Sequence, residues 1–211
     1  MSTWHVDDAP PPTAVSGKPL SKKGERTRRR LLDAAEEIFA ELGYHDASIV
    51  KITESAQVAQ GTFYIYFESK QQVFDELVDD LNRRVRFAMS EGSQRGTDRA
   101  EAERLGFAAF FRFTAEHPGL YRIIRQAEFA SPGALQRHYQ TIADGYIGGL
   151  RQAMADGEIA EADPEVLAFA LMGIGELIGM RWVLWQGGPG EVPEHVFEEM
   201  YAFIRRGLGS P

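Results

Sequence analysis

The chain has 211 residues, 44% of them hydrophobic, enough for one large domain or two modest ones with a substantial core. It contains no cysteine, which excludes disulfides, thiolate metal sites and cysteine nucleophiles. Its net charge of −8 argues against a uniformly nucleic-acid-binding surface, but the charge is uneven. Between Lys18 and Arg30 seven basic residues (Lys18, Lys22, Lys23, Arg26, Arg28, Arg29, Arg30) face one acid, Glu25, a local +6 that leaves −14 for the rest. An acidic body with one basic arm suits a protein that meets phosphate with a single face.

Residues 1–20 carry Pro10-Pro11-Pro12, Gly17 and Pro19 with little apolar periodicity, the composition of a disordered tail. They hold no apolar signal-peptide core, so a cytoplasmic location is expected. A first helix is expected over about 22–42, with Leu31, Leu32, Ala35, Ile38, Phe39 and Leu42 as its apolar stripe. Gly43 stands where a helix ends in a left-handed residue.

Ser48 to Lys70, SIVKITESAQVAQGTFYIYFESK, reads as two short helices joined by a tight turn. Ser48 is an N-cap candidate, and Ile49, Ile52 and Ala56 repeat at helical spacing. A second short helix over about 59–66 turns Phe63 and Phe67 inward and presents Gln60, Thr62, Tyr64 and Tyr66 outward. Gly61 there permits a close backbone approach. A steeply angled helix pair with a polar second helix is the helix-turn-helix arrangement, whose second helix fits the major groove of B-DNA.

The run Gly61-Thr62-Phe63-Tyr64-Ile65-Tyr66-Phe67 with Ser69-Lys70, preceded by an apolar helix ending in Gly43-Tyr44, resembles the core signature of the TetR family of transcriptional regulators. The resemblance covers about residues 26–74. The chain departs from the family's pattern at Gln57, where a glycine is usual in the turn. It departs again at Ala59, in place of a serine-like cap, and at Val50, in place of a polar phosphate-facing residue. The resemblance implies that Gln60, Gly61, Thr62 and Tyr66 face bases or the groove edge. Tyr64, Lys70 and, more weakly, Lys51 would hold phosphates, which positions the head without reading sequence.

Ser69 and Gln72 form a capping-box pair for a helix over 69–92, about 35 Å long, that ties this head to the remainder of the chain. Its stripe includes Val73, Phe74, Leu77, Val78, Leu81, Val85 and Met89. Five further helical segments follow, over about 98–116, 118–129, 134–155, 163–186 and 193–207, separated by His117-Pro118, Ser131-Pro132-Gly133, Asp156-Gly157 and Gly187-Gly188-Pro189-Gly190. Asp163-Pro164 is a strong helix start. No strand alternation and no repeat is evident.

The expected fold is therefore all-α. A disordered tail (1–20) precedes a three-helix helix-turn-helix DNA-binding head (21–68) and a larger helical ligand-binding and dimerisation body (69–211). The last two helices are apolar on more than one face. The stretch Val166 to Trp185 contains Glu176 and Arg181, which favours a buried helix over a membrane span. Family resemblance and the two-fold symmetry of operators favour a homodimer through these two helices.

Aromatic residues of the middle helices are most often core. Set beside the family's habit of an internal cavity, they suggest a largely apolar pocket formed by Met89, Phe107, Phe110, Phe111, Tyr121, Phe129 and Tyr146, with Glu176 as polar anchor. Such a lining leans towards a lipophilic effector, an acyl chain or acyl thioester. The five histidines show no metal spacing, no cofactor motif is present, and no nucleophile–base pair supports an enzyme. The function expected is a ligand-responsive repressor binding double-stranded operator DNA. The alternative is a helical ligand-binding or scaffold protein without specific DNA binding.

Overall fold

The computed structural model describes residues 12–185 and 191–209. The expected tail over residues 1–11 and the Gly187-Gly188-Pro189-Gly190 loop lie outside the described residues. Among the described residues the chain is all-α, apart from one isolated bridge between Thr13 and Pro19. The helices are α1 (Lys22–Asp46), α2 (Ile49–Ser55), α3 (Gln60–Tyr66), α4 (Lys70–Ser93), α5 (Arg99–Glu116), α6 (Gly119–Ala130), α7 (Pro132–Ala155), α8 (Pro164–Gly179) and α9 (Glu194–Leu208). A π-helical turn, Met180–Leu184, continues α8.

Their starts follow from local chemistry. The hydroxyls of Ser21 and Ser48 accept from the backbone N–H groups of Gly24 and Lys51. Ser69 Oγ accepts from Gln72 N–H at 3.1 Å, while Gln72 Oε1 reaches one residue past the cap and accepts from Glu68 N–H, a variant of the expected capping box. The Asp163 carboxylate accepts from Glu165 and Val166, with Pro164 opening α8.

The chain forms two compact units. One joins the described chain up to Leu81 with Gly119–Gln136; the other holds Asn82–Pro118 and the chain from Arg137 onward. The sequence expectation placed 119–136 in the body, but α6 belongs with the head. The core of this head unit is aromatic and aliphatic: Leu31, Ala35, Phe39, Ile52, Phe63, Phe67 and Phe74 are buried. Phe74 meets Phe39 edge-on at 5.1 Å and Tyr44 at 4.9 Å. Each buried leucine, isoleucine or phenylalanine here stabilises the fold by about 1.5–3 kcal/mol.

Gly43, at φ +81°, breaks α1 near its end. The break opens backbone groups that α6 closes. Gln126 Oε1 accepts from Tyr44 N–H at 2.5 Å and its Nε2 donates to Phe39 O at 3.2 Å. Arg122 donates to Ala40 O at 3.3 Å. These bonds, with the close seat of Gly119 on Ala40, explain why α6 packs along α1.

In the other unit, glycines set the helix spacing. A Cβ on Gly92 would lie 2.6 Å from Leu105 O, so α4 and α5 touch backbone to backbone there. A Cβ on Gly175 would lie 2.9 Å from the Phe107 ring, which fixes α8 against α5. Inside, Asn82 Nδ2 donates to His138 Nδ1 at 3.0 Å and to His138 O at 2.9 Å, and Arg86 Nε donates to Asn82 Oδ1 at 2.8 Å. Burial, and secondarily the Arg86 charge, push the His138 imidazole down to about 4, so it is held neutral.

The helix expected to be buried, 163–186, is buried on one side alone. By length and composition the stretch Pro164–Leu184 could cross a bilayer, yet only 33% of its most apolar window is buried. Val166, Phe169, Leu177 and Trp185 are exposed.

Candidate nucleic-acid interface

Helices α2 and α3 are joined by a turn over 56–59 whose shape is unusual for its sequence. Gln57 sits at φ +52°, the one positive φ outside glycine among the described residues. A left-handed residue with a side chain costs about 1–2 kcal/mol. The Arg30 guanidinium holds the turn from behind, donating to Ala56 O and to Gln57 O. Ala59 heads α3 without a side-chain cap.

On α3 the helical period decides what faces out. Phe63 is fully buried, and Tyr66, three residues on, follows it inward at 8% exposure. This corrects the expectation that Tyr66 lies on the groove-facing side. Its hydroxyl turns towards Gly24, where a Cβ would sit 3.6 Å away. The exposed face carries Gln60, Gly61, Tyr64 and Ile65, with Thr62 half-buried. A Cβ on Gly61 would meet nothing within 4 Å, so its backbone is open to a close approach from outside. Ile65, 52% exposed, was passed over in the sequence because an isoleucine reads as core.

Lys70 is a second correction. Its ammonium donates to Tyr44 O (2.7 Å), His45 O (3.3 Å) and Ala47 O (2.9 Å), and it lies 4.5 Å from the centre of the Tyr44 ring. All three of its donors are spent on the end of α1, so it caps that helix rather than reaching outward. Lys51 is exposed, with its ammonium 3.2 Å from Asp46 O.

The basic arm divides in two. Arg28 pairs with Glu76 and lies over the Phe67 ring; Arg29 pairs with Asp33 and Asp80, each at 2.8 Å; Arg30 holds the turn. Lys18, Lys22, Lys23 and Arg26 are exposed, and none has an ion pair or side-chain hydrogen bond among the described residues. The free cations thus stand at the start of α1 and just before it.

The expected aromatic pocket is not assembled as one cavity. Met89 and Tyr146 line a cavity of about 610 Å³ together with Arg99, Glu103, Gln152 and Glu158, so its wall mixes apolar and charged groups. Arg99 pairs with Glu103, and its backbone N–H donates to Glu158 Oε2 at 2.9 Å. Burial raises the Glu103 carboxyl, with Arg99 opposing the shift, and burial also raises the Tyr146 phenol. Phe107, Phe110 and Phe111 instead pack towards α8 and α9, with Phe111 edge-on to Phe197 at 6.2 Å. Tyr121 belongs to the head unit, and Phe129 is 87% exposed. Glu176 accepts from the Tyr139 hydroxyl at 2.8 Å. No cluster of three or more metal-binding side chains occurs among the described residues.

Along α8 and α9 an open apolar groove of about 720 Å³ is lined by Gly173, Ile174, Leu177, Trp182, Met200 and Phe203, among others. Leu177 and Phe203 are each 60% exposed.

Residues 31–77 match the family model of bacterial regulatory proteins of the tetR family. The fatty acid metabolism regulator protein of Bacillus subtilis (strain 168) is 30% identical over 137 residues, covering 63% of this chain and 70% of that protein. The HTH-type transcriptional repressor KstR2 of Rhodococcus jostii (strain RHA1) is 25% identical over 213 residues, 96% of this chain and 98% of its own. In fold the chain resembles the fatty acid degradation regulator FadR of Bacillus halodurans, with a TM-score of 0.71 at 22% identity over 88% of this chain and 97% of that one. The head geometry and these likenesses lead to one conclusion: the chain belongs to the TetR family of DNA-binding transcriptional regulators.

Proposed function

We propose that the protein is a cytoplasmic homodimeric repressor that leaves its operator when a small molecule enters the body. The observation that carries this reading is the exposed face of α3, Gln60, Gly61 and Tyr64, together with cations that have no partner among the described residues, on an otherwise acidic chain. Gln60 and Gly61, with Thr62 beside them, would meet base edges, and Tyr64, Lys22, Lys23 and Arg26 would meet phosphates. Tyr66 and Lys70 act from inside, by shaping the head.

Pairing of two heads is supported by the apolar groove along α8 and α9. Exposed Leu177, Trp185 and Phe203 are the kind of surface a second copy covers. A two-fold pair presents two α3 helices to half-sites about 34 Å apart.

For the effector, a fatty-acid-derived molecule is supported by relatives named for fatty-acid metabolism and degradation. In the cavity of Arg99 and Glu103 the charged groups would receive a polar end of such a molecule. Release follows if the effector binds the DNA-free state more tightly than the DNA-bound one.

The test is fluorescence anisotropy on duplexes from the region upstream of the protein's own gene, with and without a medium- or long-chain acyl thioester. Saturable, sequence-dependent binding weakened by the thioester supports the reading. Binding to no duplex above the level of random DNA defeats it and leaves a helical scaffold protein.

A further inference from the structure

The segment before α1, expected from its prolines and glycine to be a structureless tail, is folded from Pro12 to Leu20. Ala14 N–H donates to Lys18 O at 2.9 Å and Gly17 N–H to Ala14 O at 2.8 Å. Gly17 takes φ +78°, and Thr13 bridges Pro19. The result is a tight turn with Lys18 exposed beside its left-handed glycine. The turn is tied to the recognition helix, because Val15 N–H donates to Ile65 O at 2.9 Å. That carbonyl lies in the last turn of α3, where the helix cannot supply a donor of its own. Leu20 anchors the other end beside Gly24, whose Cβ position is 3.4 Å from Leu20 and 3.6 Å from the Tyr66 hydroxyl.

We propose that this Pro12–Leu20 turn is a second DNA-contacting element, which sets Lys18 against the phosphate backbone beside the groove that α3 enters. The inference rests on the DNA-binding reading of α3. Three observations carry it. First, Lys18 is one of four basic residues in the arm without a partner among the described residues, whereas Arg28, Arg29 and Arg30 are all engaged. Second, the turn is fastened to α3 itself, so its lysine is held at a fixed place relative to the groove-facing residues. Third, its exposed side chains include no acid: Thr13, Val15, Ser16, Lys18 and Pro19. A polyanion is the partner this surface fits. Holding the lysine in advance lowers the ordering cost that a free tail would meet on binding.

The test compares wild type, Lys18→Gln and Val15→Pro on a 30-base-pair duplex from the protein's own upstream region, measured between low and moderate salt. Lys18→Gln removes the charge and keeps the turn. Val15→Pro keeps every charge and removes the N–H that holds the turn to Ile65. The log–log slope of affinity against salt is expected to become shallower by about 0.9 per lost phosphate contact, so by roughly 2 for a dimer in Lys18→Gln. Val15→Pro is expected to lose slope in the same direction. Both variants should approach wild type as salt rises, with unchanged far-ultraviolet circular dichroism. Wild-type binding with a steep slope that Lys18→Gln leaves untouched overturns the turn's role and leaves α3 as the reader. Wild type that binds no duplex removes the reading beneath it as well.

Discussion

The head and the body of this protein leave different things unsatisfied. In the head, most cations already have work: Lys70 caps α1, Arg30 holds the turn, and Arg28 and Arg29 meet acids. Among the described residues a small basic group, Lys18, Lys22, Lys23 and Arg26, remains without a partner. In the body the charges turn inward on one another, as Arg99 does on Glu103, and apolar side chains stay outside, Leu177, Trp185 and Phe203 among them. Unspent charge calls for a charged partner and unspent apolar area for another protein surface. The contrast is what the proposed division needs, with DNA on one unit and a second copy on the other.

The largest effect is expected where the body's surplus is removed. The double variant Leu177→Glu with Phe203→Glu places charge on the groove of α8 and α9. It should sediment as a monomer and bind a two-half-site duplex roughly 10²- to 10⁴-fold more weakly, since the second head no longer arrives tethered. A dimer of unchanged affinity would show that the apolar face serves something else.

Next comes an effect confined to the body. The His138 imidazole sits at about 4 when folded against 6.5 for the free side chain. Between these values the unfolded chain binds the extra proton, so stability is complete above pH 6.5 and falls as pH drops towards 4. The loss should approach about 3 kcal/mol in urea titrations, and His138→Gln should flatten that arm.

In the head, Lys70→Met strands three carbonyls at the end of α1. It should cost about 1–3 kcal/mol in stability. If instead it leaves stability intact and lowers only DNA affinity, the lysine is a phosphate ligand after all. The smallest effect has the opposite sign. Gln57→Gly releases a left-handed strain and should raise stability by about 1 kcal/mol, read as a higher urea midpoint at constant slope.

The helix order was readable from apolar spacing and from caps such as Ser48, Ser69 and Asp163-Pro164, because those signals are local. So was the helix-turn-helix, whose motif fixes Phe63 and Phe67 as core. The failures are of another kind. Tyr66 looked polar, but its place three residues after Phe63 carried it inside. Lys70 looked like a phosphate ligand because its acceptors, the carbonyls of residues 44, 45 and 47, have no sequence signature. Phe107, Phe110 and Phe111 looked like a pocket, yet aromatic rings fill helix contacts as readily as cavities, and only the position of Gly175 tells which. Of the cavity at Arg99 and Glu103 only Met89 and Tyr146 were legible, because its charged residues read as ordinary surface charge.

The seam at Gly43 has a practical consequence for anyone who would isolate the reading head. The amide of Gln126 and the guanidinium of Arg122 mend the frayed tip of α1 from a helix that begins 38 residues beyond Leu81. A fragment trimmed to its first eighty or so residues carries every letter of the recognition motif yet loses that splint, exposing the α1 face on which α6 lies. The module that meets DNA is thus written in two separate passages of the chain, and neither is complete without the other.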